Sequence, residues 1–154
     1  AKSFNTTPAC DATSVYVGNA DGTLYSFDQV SGQQRWIYKA RRGIMSSPAL
    51  GLDGSVVFGS ADDNVYCLDA ATGALRWAFK TDDVVLASPL ITGALVWVGS
   101  YDDNFYALDL ATGQERYRIH LPGGIFTSAA VAGDKILVAG RDGDLLCLQA
   151  AIPH

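Results

Sequence analysis

The chain has 154 residues, the size of one ordinary domain, and 49% of them are apolar against 18% charged, a composition that excludes intrinsic disorder. Its net charge of −5 at pH 7 excludes a nucleic-acid surface, which needs a basic field. No apolar run reaches the length that spans a bilayer, so we expect no membrane insertion.

Four copies of one hairpin pattern follow one another along the chain. They read VYVGNADGTLYSFD, VVFGSADDNVYCLD, VWVGSYDDNFYALD and LVAGRDGDLLCLQ. An Asp in the turn of each copy recurs every 40 or 41 residues, at Asp21, Asp62, Asp102 and Asp142. Such a period indicates a repeat architecture, in which each copy is one supersecondary unit.

Each copy predicts four short strands, A to D. Strand A is small and short, strand B is a continuous apolar run such as Val96-Trp97-Val98, and strand C follows the acidic turn. Strand D is predicted to alternate, with Leu75, Trp77 and Phe79 on one face and basic residues on the other, as suits an exposed edge strand. Four-stranded units of this period predict an all-β fold, a β-propeller segment over residues 1–154, with blades at about 4–39, 44–80, 85–119 and 125–150.

A second motif joins strands C and D and ends in a large aromatic residue. In CLDAATGALRW, Asp69 is predicted to accept backbone N–H bonds, Gly73 to supply a positive φ, and Trp77 to pack against a neighbouring blade. Two other copies of this structural motif have residues with the same predicted roles. They are Asp28, Gly32 and Trp36 in the first copy, and Asp109, Gly113 and Tyr117 in the third.

This motif resembles the tryptophan-docking motif of the quinoprotein-like (pyrroloquinoline quinone repeat) β-propellers. Residues 67–77 match it except at Cys67, residues 26–36 carry Ser31 in place of Thr, and residues 107–117 carry Tyr117 in place of Trp. The fourth copy has Gln149 where the motif has Asp. The resemblance implies a ring of seven or eight blades and an extracytoplasmic location, which three unpaired Cys weakly oppose.

The predicted strands do not add up to four complete blades. Four strands of each of the types A, B and C are predicted, but only three of type D, so the last blade lacks its outer strand. Four such blades leave two open apolar faces, which flanking blades or a homodimer of four plus four blades would cover. A self-closed ring of four blades is the remaining alternative.

Pyrroloquinoline quinone is possible here only through the family resemblance, and we expect no cofactor. The resemblance associates that quinone with an adjacent Cys pair and acidic calcium ligands, whereas Cys10, Cys67 and Cys147 lie far apart and the only Glu is Glu115. The three thiols are predicted to be small buried side chains, because free Cys is often buried. The acidic turns are interpreted as tight hairpins, with calcium binding as the alternative.

The connections from strand D to the next strand A differ from one another and form the candidate binding face. They read KARRGIM, KTDDVVL and HLPGGIF, and their candidate binding residues are Arg41, Arg42, Asp82, Asp83 and His120. No catalytic or metal-ligating residue is predicted. An apolar band in these loops is interpreted as buried against neighbouring blades, with a partner groove as the alternative; it comprises Ile44, Met45, Val84, Val85, Leu86, Ile125 and Phe126.

The sequence therefore favours a non-catalytic propeller module that binds a protein, a peptide or a small ligand. Similar domains serve as scaffolds in outer-membrane protein assembly and as sensor domains of bacterial kinases. Two alternatives stay open: a fragment of a quinone-dependent dehydrogenase, and a structural repeat segment with no site of its own.

Overall fold

The structure, a computed structural model, describes residues 3–149. Within this range the regular elements are all strands, arranged as four antiparallel sheets that follow one another in chain order. The first two sheets contain β1 (Ala9–Cys10), β2 (Ser14–Gly18), β3 (Thr23–Asp28) and β4 (Gln34–Lys39), then β5 (Ala49–Leu50), β6 (Ser55–Ser60), β7 (Asn64–Asp69) and β8 (Leu75–Lys80). The last two contain β9 (Leu90–Thr92), β10 (Leu95–Gly99), β11 (Asn104–Asp109) and β12 (Glu115–His120), then β13 (Ala130–Ala132), β14 (Lys135–Ala139) and β15 (Leu145–Gln149).

This architecture confirms the predicted all-β propeller of four repeated blades, and the sheets form an open arc rather than a closed ring. Among residues 3–149 the fourth sheet has three strands, in the order β13-β14-β15, while the other three sheets have four. No helix in the described part of the chain could cross a membrane.

Tight acidic turns join the second and third strand of each sheet. In the second and third blades the turn residues Asp63 and Asp103 adopt φ values of 66° and 67°, a left-handed conformation that Asp tolerates better than most residues. In the first and fourth blades Gly22 and Gly143 supply the positive φ instead.

The core lies between neighbouring sheets, because the two middle strands of a blade are mostly apolar on both faces, as in β6, β7, β10 and β11. Between the second and third blades, for example, the fully buried Val57, Val65 and Cys67 of one sheet meet Val96 and Leu108 of the next. Equivalent clusters join the first blade to the second and the third to the fourth. Three sheet-to-sheet interfaces therefore hold the arc together.

The predicted alternation of the outer strand is wrong at Leu75. A β-bulge between Cys67 and Leu68 pairs Trp77 with Cys67 but Leu75 with Leu68, so Leu75 lies on the opposite face from Trp77 and is 50% exposed. The same bulge occurs in the first and third blades. It places Arg76 as the extra residue, next to the turn that precedes the strand.

The prediction that all three thiols are buried is wrong for two of them. Cys67 is buried between the second and third blades, but Cys10 and Cys147 are exposed. Cys10 pairs with Val15 on the first blade and Cys147 with Leu137 on the fourth. Both thiols are exposed because they lie on the two end faces of the arc, which no blade of this chain covers.

Candidate functional site

The turn that precedes each outer strand is held by one carboxylate. Oδ1 of Asp69 accepts hydrogen bonds from the N–H groups of Ala71 and Thr72 at 3.1 and 3.0 Å and from the Thr72 hydroxyl at 2.9 Å. Gly73 completes the turn with a φ of 73°. Asp28 and Asp109 close the equivalent turns in the same way.

An arginine next to the docking aromatic residue braces each turn, a role that sequence reasoning missed. Nη2 of Arg76 donates to Oδ2 of Asp69 at 2.9 Å, and Arg35 and Arg116 bind Asp28 and Asp109 at 2.6 and 2.8 Å. The Arg76 hydrogen bond, aided by the Thr72 hydroxyl, lowers the pKa of Asp69. The signal in the sequence is the recurrence of Arg seven residues after the Asp in three copies, although basic residues on this strand are equally explained by protection of a sheet edge.

The tryptophan side chains dock on the turn of the following blade. Nε1 of Trp77 donates to the carbonyl of Leu110 at 2.8 Å, and its indole lies over Gly113, where a Cβ would sit 2.6 Å from Cδ2. Trp36 makes the same contact with the carbonyl of Ala70, at 3.0 Å, and with Gly73. Each docked indole is less than one-tenth exposed, so these aromatic residues lock successive blades together.

Tyr117 holds the same position in the third blade but is not docked, with 61% of its surface exposed. Within residues 3–149 the fourth blade contains no turn of this kind to receive it. At the other end of the arc, the turn at Gly32 has the same geometry, with a φ of 68°, yet no atom lies within 4 Å of a Cβ built there. Among the described residues no indole therefore contacts this turn.

At the opposite end of the blades, the acidic turns bind the loop of the preceding blade. Oδ2 of Asp62 accepts from the backbone N–H of Arg41 at 2.8 Å and from the hydroxyl of Tyr66 at 2.9 Å. Burial alone would raise the pKa of Asp62, but hydrogen bonds led by the Asn64 amide outweigh it and lower that pKa. Asp102 accepts equivalent bonds from the N–H of Asp82 and the hydroxyl of Tyr106.

A ladder of hydroxyl groups links the inner strands of all four blades. The N–H of Thr7 donates to Oγ of Ser47 at 2.9 Å, Ser47 N–H to Oγ of Ser88 at 2.9 Å, and Ser88 N–H to Oγ of Ser128 at 3.2 Å. Each of the first three blades thus donates one hydrogen bond to the blade that follows it. The prolines and the alanine that follow these positions keep the strands small enough to converge.

The apolar band of the loops divides into two sets of three, with the half-buried Val84 outside both, so the prediction that all of it is buried is wrong. Ile44, Val85 and Ile125 are fully buried under the neighbouring blade. The residues that follow them form a second set, the axis row, which consists of Met45, Leu86 and Phe126. Met45 and Phe126 are 42% and 44% exposed and Leu86 is half-buried.

The axis row lies beside loops whose charge changes sign along the arc. Arg41 and Arg42 are exposed before Met45, and Asp82 and Asp83 are exposed before Leu86. The third loop follows His120, an exposed residue at the end of the outer strand. The structure therefore places all five candidate loop residues at one end of the blades, but their side chains make no common cluster.

The residues present do not fit a quinone with its calcium ion. No group of three or more His, Cys, Asp or Glu side chains that could hold a metal occurs in residues 3–149. The carboxylates of Asp62 and Asp102 are engaged by the preceding loops, and hydroxyl groups of Ser line the axis. The thiols stand on three different sheets, so no pair of adjacent Cys can cover a cofactor.

An open depression of about 440 Å³ lies between the second and third blades, at the end opposite to the axis row. Its walls are mostly apolar and include Leu50, Ile91 and Leu110. The two carboxylates on its rim, Asp53 and Asp109, already bind Arg76 and Arg116. It offers a ligand no unengaged charge and is a weaker candidate than the axis row.

A family model described as outer membrane protein assembly factor BamB matches residues 20–151. The chain belongs to this family. Among curated protein sequences no significant match was found.

Solved structures show the same fold in BamB-like propellers. BamB from Moraxella catarrhalis superposes with a TM-score of 0.85 at 21% identity, over 98% of this chain and 48% of that one. Two computationally designed proteins are similar as well. Ika4 superposes with a TM-score of 0.81 at 19% identity, over 97% of this chain and 92% of that one. Ika8 superposes with a TM-score of 0.84 at 19% identity, over 96% of this chain and 46% of that one. The chain therefore spans about half the length of BamB and Ika8, and nearly the full length of Ika4.

Proposed function

We propose that this chain is a non-catalytic propeller module that binds a protein or peptide through the axis row and the loops beside it. The observation that carries the proposal is the exposure of Met45 and Phe126, which hold equivalent positions two blades apart with the half-buried Leu86 between them. Their predecessors Ile44 and Ile125 are fully buried, so the blades are held together without the exposed side chains. Exposed large apolar side chains at repeated positions are typical of a surface that a partner covers.

The surroundings of the axis row support a protein partner more than a small ligand. Phe126 packs against Tyr101, with ring centroids 5.9 Å apart, and together they present a broad aromatic surface rather than an enclosed cavity. The Arg pair lies beside Met45 and the Asp pair beside Leu86, so the charge changes sign from one end of the axis row to its middle. A partner with apolar side chains and charges in the complementary order fits this arrangement.

Family membership supports the same kind of role. The family is described by a protein assembly factor, and a scaffold of this kind acts by holding protein partners. The alternative is a fragment of a quinone-dependent dehydrogenase. Among the described residues no group of His, Cys, Asp or Glu side chains that could hold a metal ion favours it. We accordingly propose no reaction for this chain.

The test is site-specific photo-crosslinking in cells of the source organism. A photo-reactive phenylalanine replaces Phe126 in one version and Val30 in the control, since Val30 is 96% exposed in an outer turn at the other end of the blades. We expect a protein adduct from position 126 and none from position 30. Equal adducts from both positions, or adducts from neither, would contradict binding at the axis row and favour a purely structural segment.

A binding measurement with the captured protein completes the test. The double variant Met45→Ser, Phe126→Ser should weaken the affinity by about tenfold or more, as expected for loss of central apolar contacts, while Val30→Ser should leave it unchanged. Urea unfolding checks that both variants keep the fold: the midpoint of Val30→Ser should match that of the original protein, and that of the double variant should fall somewhat because Phe126 packs against Tyr101. A loss of affinity shared by the control would refute the assignment of the site.

A further inference from the structure

The loop end of the blades, which carries the axis row, is acidic from the second blade to the fourth. Six carboxylates on its loops and turns form no ion pair within residues 3–149: Asp82, Asp83, Asp102, Asp103, Asp142 and Asp144. His120 and Arg141 are the basic residues of the same segments. Lys80 and Arg118 lie on the outer strands and are already held in ion pairs. This part of the loop end therefore attracts cations.

The first loop has the opposite charge. Arg41 and Arg42 are exposed there. The carboxylate nearest to them, that of Asp62, is 8% exposed and is bound by the N–H of Arg41. The acidic surface therefore lies on the Phe126 side of the axis row rather than on the Met45 side.

Tyr101 departs from the repeat within this acidic region. It stands where the first two blades have Ala20 and Ala61, and its N–H donates to the carbonyl of Val84 at 3.0 Å, as the N–H of Ala61 donates to its own preceding loop. This backbone contact needs no large side chain, so Ala satisfies the fold at this position. The tyrosine ring is instead partly exposed and packs against Phe126. The aromatic pair of Tyr101 and Phe126 is thus an addition to the surface that the repeat does not require.

Carboxylates of the third and fourth blades lie against the loop that carries Phe126. Oδ1 of Asp103 accepts from the N–H of Gly124 at 2.6 Å, and Gly124 lies beside Tyr101, since a Cβ built on it would be 3.5 Å from the Tyr101 Cα. The Asp142 carboxylate lies against Gly123, where a Cβ would be 2.5 Å from Oδ1. Two carboxylates therefore flank the aromatic pair on this side.

The second loop brings further carboxylates to the other side of the pair. Oδ1 of Asp83 accepts from the N–H of Val84, the residue whose carbonyl binds Tyr101. The N–H of Asp82 donates to Oδ2 of Asp102 at 3.0 Å, which holds the second loop against the acidic turn of the third blade. These bonds fix where the carboxylates stand but do not neutralise their charge.

We propose that the partner presents a segment rich in Lys and Arg to this surface, an inference that rests on the function proposed above. A basic side chain of the segment stacks on the aromatic pair, because the face of an aromatic ring attracts a cation. The surrounding carboxylates attract the same side chain and its basic neighbours, and they repel an acidic segment. Apolar side chains of the segment cover the exposed part of Phe126.

The test uses two synthetic peptides and the purified 154-residue chain, with binding measured by isothermal titration calorimetry. One peptide is a decapeptide of alternating Lys and Leu, and the other has Glu in place of every Lys, so that length and apolar content match. We expect the Lys peptide to bind, with an affinity that falls as salt is added, and the Glu peptide not to bind. Equal binding of both peptides, or binding of neither, would overturn the proposal.

Matched pairs of variants locate the binding site. Asp82→Lys should weaken binding of the Lys peptide about fivefold or more, whereas Asp134→Lys, the same charge change in an exposed turn at the opposite end of the blades, should have a much smaller effect. Tyr101→Ala should weaken it about two- to fivefold through loss of one exposed cation–π contact, and Tyr117→Ala, which removes an exposed aromatic side chain from an outer strand, should leave it unchanged. Equal effects within either pair would refute the assignment. Tyr101→Ala should keep the circular dichroism spectrum, because the first two blades have Ala at this position.

Sequencing of the partner peptide that cross-links to position 126 separates this inference from the proposed function. An adduct with a segment rich in Lys and Arg would support both. An adduct with an acidic or uncharged segment would overturn the basic partner and leave binding at the axis row in place. Absence of an adduct at position 126 would overturn the proposed function and this inference with it.

Discussion

Replacement of Trp77 by Ala should destabilise the protein far more than replacement of Tyr117 by Ala, although both residues end the same sequence motif. Trp77 is 8% exposed and its Nε1 donates to the carbonyl of Leu110, whereas Tyr117 is 61% exposed. Removing a buried large aromatic side chain costs about 3–5 kcal/mol of unfolding free energy. The exposed tyrosine should cost less than about 1 kcal/mol.

Replacement of Trp77 by Phe separates the hydrogen bond from the packing. Phe keeps most of the ring surface over Gly113 but leaves the carbonyl of Leu110 without its donor, a loss of about 1–3 kcal/mol. Trp77→Phe should therefore fall between the original protein and Trp77→Ala.

Urea unfolding, followed by far-ultraviolet circular dichroism, gives the free energy of unfolding of each variant. The Trp36→Ala variant is a second positive control, because Trp36 docks on Gly73 as Trp77 docks on Gly113. Equal losses for Trp77→Ala and Tyr117→Ala would refute the reasoning. They would show that the aromatic residue stabilises its own blade rather than the contact with the next.

Two further predictions concern the turns that receive the indoles. Gly113→Ala should be more destabilising than Gly32→Ala in urea unfolding. Both turns have a similar positive φ, but only at Gly113 would the new Cβ meet an indole. Equal effects of the two substitutions would contradict the docking contact. The hydrogen bond from Arg116, aided by the Thr112 hydroxyl, lowers the pKa of Asp109 to about 2 from its ordinary 3.8. The unfolded state therefore binds the proton more readily than the folded state. The free energy of unfolding should accordingly fall as the pH drops from about 4 to about 2. Asp109→Asn should lower the urea midpoint at neutral pH and reduce this acid dependence, and an unchanged dependence on pH would contradict the assignment.

The repeated pattern predicted the propeller because its period and its buried strands do not depend on a single residue. The motif also predicted how Asp69 and Gly73 shape the turn, since both act within a few residues of themselves. The face of Leu75 was predicted wrongly because a bulge adds a residue to one strand without changing the composition that alternation relies on. Arg76 was missed as the partner of Asp69 for the same reason.

Long-range burial was harder to predict than local geometry. The apolar loop residues form pairs of neighbours, Ile44 with Met45 and Ile125 with Phe126, and the sequence does not state which member of a pair faces the next blade. Burial also depends on whether a neighbouring blade exists. Cys67 and Cys147 occupy equivalent positions, yet only Cys67 has a following blade in this chain.

The contacts between blades weaken from the start of the arc to its end, and the cause lies in a few substitutions. The first two interfaces each have a docked Trp, a loop N–H bound to an acidic turn, and a Tyr hydroxyl on the same carboxylate. At the third interface Tyr117 is undocked, Pro122 has no N–H to donate, and Leu146 replaces the Tyr. The fourth blade is thus attached mainly by apolar contact, together with one bond of the hydroxyl ladder and the bond from the Arg141 N–H to the carbonyl of Gly124.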